Sequence, residues 1–221
     1  MRARTGWLLI AVGILIAAAV PPLAQDLPLP LCRLVLDTER YDLDEARLEL
    51  ELARSNVAAF EEIYKLIEGL WRHEAIARMI YLEAKYDLDA AELALQRVRL
   101  IVEQQETIVE QYLRVCDAWA SGKSWNEDDE AIDRAHALFR ELQCAILAKD
   151  VEIAAVNLEF DRELLASVLD LRAGEVATRQ EVIRAELDVT IEEQRLATGK
   201  RRAAACQADL LPAKEPQETP R

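Results

Sequence analysis

The chain has little of what most catalytic and binding sites are built from: among 221 residues there are six glycines, two histidines, two methionines and three phenylalanines. With so few glycines a phosphate-cradling loop can hardly be built, and no glycine-rich motif of that kind occurs. His73 stands beside Glu74, and His136 lies between Ala135 and Ala137. Neither histidine has the helical spacing of a metal pair or a nucleophile nearby in sequence. Scarce phenylalanine among scattered small residues argues against a thick globular core. Acidic residues outnumber basic ones by 41 to 27, for a net charge of −14. A surface of that sign repels nucleic acid and anionic lipid headgroups. These shortages predict a protein that is not an enzyme, holds no cofactor or metal, and meets other proteins.

The N-terminus carries Arg2 and Arg4, then an apolar run from Trp7 to Val20, then Pro21-Pro22-Leu23-Ala24 ahead of Asp26. This order of charge, apolar stretch and small-residue exit is that of a secretory signal, read here as residues 1–24. A retained membrane anchor is the competing reading. At the other end three prolines among polar residues predict a disordered tail over 207–221.

Between these ends the chain matches itself 101 residues later without a gap. Glu51, Asn56, Arg78, Ala84, Asp87 and Glu92 recur as Glu152, Asn157, Arg179, Ala185, Asp188 and Glu193. Each copy also carries two heptad seams, one from Cys32 through Leu36, Leu43, Leu50, Val57 and Tyr64 to Trp71, the next from Ala77 through Ala84, Ala91, Val98 and Val109 to Cys116. Seams this long predict an all-α fold of two long antiparallel helical hairpins, a coiled-coil-like four-helix arrangement related by the repeat. The domain spans 25–206, with repeat one at about 31–116 and repeat two at about 130–206. Its helices are expected near Leu34–Leu70, Ala75–Cys116, Glu130–Leu171 and Ala177–Cys206, about 60 Å long at 1.5 Å per residue.

In an antiparallel pair the numbers of facing residues add to a constant. The register that sets Trp71 against Ala77, Tyr64 against Ala84 and Val57 against Ala91 puts large side chains opposite small ones. It also joins Cys32 to Cys116, and its counterpart one repeat later joins Cys144 to Cys206. The cysteines were not used to set the register and are not equivalent in the two repeats. In an exported chain four cysteines are read first as two disulfides, and this pairing staples the open end of each hairpin. The second seam is poorer: Asp161 faces Val189 and Leu158 faces Glu192, so those layers are expected to open to solvent or to shift register locally.

Three further features bear on contacts. An apolar stripe of Leu48, Leu52, Ala59, Ile63, Leu66 and Leu70 lies beside the first seam and needs the other hairpin or a second molecule to cover it. The connector, 117–129, holds Trp119 and Trp125, readable as packing against the hairpin ends or as a contact patch. Its acidic run, Glu127 to Glu130, suits a helix N-terminus; it lacks the alternating oxygen ligands and central glycine of a calcium loop. Carboxylates elsewhere pair with Arg at helical spacing, as Glu181 with Arg184 and Glu192 with Arg195.

The stretch Leu171-Arg-Ala-Gly-Glu-Val-Ala-Thr-Arg-Gln-Glu-Val-Ile-Arg-Ala-Glu-Leu-Asp-Val189 resembles a hairpin tip of the TolC-like outer-membrane efflux proteins. Gly174, Gln180, Val182-Ile183, Ala185 and Leu187-Asp188 carry the resemblance, and Tyr81-Leu82, Ala84 and Asp87-Leu88 echo it in the first repeat. The resemblance spans about 45 residues around each tip. It implies a periplasmic, outer-membrane-associated component of a transport assembly, with Gly174 and Arg172 at a contact tip. Gly174 is read as supplying a backbone conformation closed to branched residues. The connector is too short and too polar for even one membrane-spanning β-hairpin, and paired disulfides are not part of that family's pattern. Expected partners are other proteins, a second copy included, met through helical faces, hairpin tips or the Trp loop. The competing reading is a periplasmic protein-binding scaffold unrelated to transport.

Overall fold

A computed structural model describes residues 29–121 and 129–210. The signal segment 1–24, Trp125 and residues 211–221 of the tail lie outside the described residues. Four helices account for the fold: α1 (Leu29–Arg72), α2 (Arg78–Ala120), α3 (Asp129–Ala173) and α4 (Arg179–Leu210). At 44 residues α1 runs for about 65 Å. It starts five residues before the expected Leu34, because Pro30 is tolerated in a first turn where its missing N–H has no partner to lose.

The helices pack in chain order, α1 on α2, α2 on α3 and α3 on α4. Among the described residues no other pair makes more than marginal contact. The molecule is therefore an open row of two hairpins, with α1 and α4 as its edges, and not a bundle closed on itself. The stripe on α1 follows from this: Leu48, Leu52, Ile63, Leu66 and Leu70 are all exposed, so the second hairpin does not cover them.

Within the first hairpin the tightest packing lies at the open end. Cys32, Leu36, Leu43 and Ala46 of α1 meet Val102, Val109, Val115 and Cys116 of α2. Nearer the tip, large and small do not simply alternate. Trp71 and Tyr64 both lean on Tyr81, with ring centroids 5.6 and 5.9 Å away, and the two tyrosine hydroxyls lie 3.2 Å apart. Tyr81 seats between successive layers of α1, as a knob does in a hole, where the register paired each layer with one residue. No described side chain is less than 2 % exposed, as expected of a layer one helix thick.

Both disulfides close as the register predicts, Cys32 to Cys116 and Cys144 to Cys206, with Cα atoms 5.8 and 5.6 Å apart. The weak second seam does not open to solvent. Asp161 is 7 % and Glu192 8 % exposed, and Leu158 is buried beside them. Glu192 is held by Arg195 at 2.5 Å, while its Oε2 has no hydrogen-bond partner among the described residues. Arg162 reaches Glu193 across the hairpin at 2.8 Å, an exposed ion pair beside these buried acids.

Candidate functional site

The hairpin tips are built alike. Helix α1 ends with the Ala75 N–H donating to the Leu70 carbonyl and the Glu74 N–H to the Trp71 carbonyl, both at 2.9 Å. One repeat later Val176 donates to Leu171 at 2.9 Å and Glu175 to Arg172 at 3.0 Å. This nested pair is the Schellman ending, which satisfies the last carbonyls only if one residue turns left-handed. That residue is Glu74 (φ 56°) in the first tip and Glu175 (φ 62°) in the second. The expectation for Gly174 is thereby corrected. It sits one position too early, and a Cβ added to it would meet only ordinary contacts, the nearest being the Leu171 carbonyl oxygen at 3.6 Å. His73 at the equivalent place in the first tip makes the same point.

Past the turn the two tips diverge. Thr178 opens α4 with a reciprocal cap: its backbone N–H donates to the Glu181 carboxylate at 2.6 Å, and its Oγ1 accepts from the Glu181 N–H at 3.2 Å. The Thr178 backbone and hydroxyl bonds hold the Glu181 carboxyl below its ordinary range. Glu181 thus serves the cap, and Arg184 contributes only a distant attraction. Ala77, the counterpart of Thr178, offers α2 no side-chain cap. Arg172 donates to the Ala177 carbonyl at 3.1 Å, which locks it across its own tip while leaving the side chain exposed. Trp119 is half-buried in the last turn of α2.

The second candidate surface is the seam between hairpins, because it shows what the faces of this repeat can bind. The Tyr86 ring lies 5.5 Å from Phe160, and its hydroxyl donates to Glu163 at 3.1 Å. Burial, then this hydrogen bond, pushes the Tyr86 hydroxyl pKa well above its usual value. Arg78 reaches the same carboxylate at 3.6 Å. Farther along, Arg97 pairs with Asp150 at 2.6 Å and Gln104 donates to Gln143 at 3.1 Å. Since Arg78 begins α2 while Glu163 nears the end of α3, helices α2 and α3 run antiparallel at this seam and both tips project at one end of the row.

No apolar pattern in the sequence had marked the outer face of α4, where Ile183, Leu187 and Ile191 form an exposed patch at four-residue spacing. It could have been found by carrying the faces of α2 forward one repeat. The left-handed glutamates carry no such signal, whereas Thr178-x-x-Glu181 is a readable capping box. Among the described residues no group of three or more His, Cys, Asp or Glu side chains could hold a metal ion, and no helix is long and apolar enough to cross a membrane. The chain matches no family model, no curated protein and no solved structure.

Proposed function

We propose that this chain is a non-enzymatic, exported helical-hairpin protein and a structural component of a periplasmic transport assembly, as its resemblance to the TolC-like efflux proteins implies. The observation that carries the reading is the open row itself. A row with both tips at one end and apolar residues bare on both edges is suited to forming part of a wall, whereas a self-contained bundle would bury them. Two disulfides support export, since such bonds persist in oxidising compartments. The transport part comes from the tip sequence around Gly174 and Arg172. The exposed α1 stripe also suits a second reading, a periplasmic scaffold that binds other proteins and moves nothing.

Deletion of the chain in its host tests the two readings. Transport predicts that cells accumulate an amphipathic dye which the wild type clears, and that the chain restores clearance when supplied again. Unchanged dye clearance alongside a leaky envelope would support the scaffold and overturn the transport reading.

A further inference from the structure

The internal repeat offers a test of what the bare edges fit. If the seam between hairpins is a property of the repeat, the face that α2 presents to α3 recurs on α4, and the face that α3 presents to α2 recurs on α1. Shifted forward by 101 positions, Leu82 and Tyr86 of the seam become Ile183 and Leu187. Shifted back, Phe160, Glu163 and Leu164 become Ala59, Glu62 and Ile63, with Leu66 and Leu70 continuing the stripe toward the tip. Leu82 and Tyr86 are buried, Tyr86 against Phe160 of α3, while their counterparts Ile183 and Leu187 are 52 % and 56 % exposed and Ile63, the counterpart of Leu164, is 45 % exposed. The residues that a further repeat would bury are the ones left bare.

The polar contact travels with them. Arg78 and Glu163 form an ion pair at the seam, and their counterparts Arg179 and Glu62 are both exposed and make no ion pair among the described residues. Brought together in the seam's register, they would meet in the same way. Tyr86 against Phe160 becomes Leu187 against Ala59, a smaller pair that would bring the two helices closer together. Arg97 and Asp150 leave no such copy, their counterparts being Thr198 and Glu49. The match is therefore concentrated in the half of the row nearer the tips.

We propose that the α4 edge of one copy binds the α1 edge of a second copy of this chain, continuing the α2–α3 seam from molecule to molecule. The contact uses a different edge of each copy, so it is head-to-tail, and every pair leaves one α1 and one α4 edge free to add another or to close a ring. It rests on the repeat and not on the transport reading. Assembly is measured on purified protein and dye clearance in cells, so either can fail alone.

The experiment is sedimentation of the purified, oxidised protein with two edge variants, Leu66→Asp on α1 and Leu187→Asp on α4. Both side chains are exposed in the single chain, so helix content and both disulfides should be unchanged. The expected result is that the wild type sediments as multiples of one chain and each variant alone as a single chain. Mixed in equal amounts, the variants should form a two-chain particle, because the intact α4 edge of L66D meets the intact α1 edge of L187D. In addition, Arg179→Glu should lower the association constant by roughly tenfold, and Glu62→Arg in the same chain should restore it. A wild type that stays single at every concentration, an L187D protein that still pairs by itself, or a mixture that yields no two-chain particle would each overturn the proposal.

Discussion

Glu74 and Glu175 occupy the one position in each tip where an L side chain crowds its own backbone. A left-handed residue other than glycine costs on the order of 1 kcal/mol. Glu175→Gly should therefore raise stability by about 1 kcal/mol, and Glu74→Gly similarly, as read by urea unfolding. Gly174→Val should leave the turn intact, since position 174 is not left-handed. The sequence misled here because glycine normally marks the left-handed residue, and in this chain it stands one place before it. Titration gives a second expectation at this scale. Hydrogen bonding to Tyr81 pushes the Tyr64 hydroxyl up to about 12, and burial raises Tyr86 well above the ordinary tyrosine value. A pKa raised by folding stabilises the protein fully below the unfolded value, and the contribution is lost as pH climbs toward the folded one. Melting temperature should accordingly fall as pH rises above about 10. Tyr86→Phe should flatten that fall while lowering stability at neutral pH through the lost bond to Glu163.

Helix by helix, two hairpins with matching sequences are finished differently. Helix α4 carries its reciprocal cap and α2 begins bare at Ala77, so Ala77→Ser should add about 1 kcal/mol to the first hairpin, measurable as a higher urea midpoint. The disulfides constrain each hairpin at its open end. Replacing Cys144 and Cys206 by Ser should cost roughly 4 kcal/mol in the chain-entropy model, with the far-ultraviolet helical signal retained at room temperature. All of this was legible as far as periodicity reaches. Heptad seams set helix lengths and register, and the cysteines agreed with a register they had not been used to set. Asp161 and Glu192 were legible as misfits but not in their outcome, because their burial depends on neighbours such as Arg195 and not on spacing. Side-by-side order was not legible either. The α1 stripe announced an uncovered face, yet nothing in its spacing distinguished the second hairpin from a second molecule.

For the whole molecule, the row has the logic of a repeat array whose end faces lack the polar caps that usually stop such arrays. The disulfides add a consequence for tension. Cys32 is joined to a partner 84 positions on, and Cys144 to one 62 positions on. Pulled from its two ends, the chain carries force through those two bonds and the connector between them, so almost the whole of each hairpin lies off the load path. An optical trap should find the oxidised molecule nearly inextensible beyond its connector and outer ends. Reduction should then release about 500 Å of additional contour length at 3.3–3.6 Å per residue. A chain tugged at both ends would thus keep its helices and tips clear of the strain.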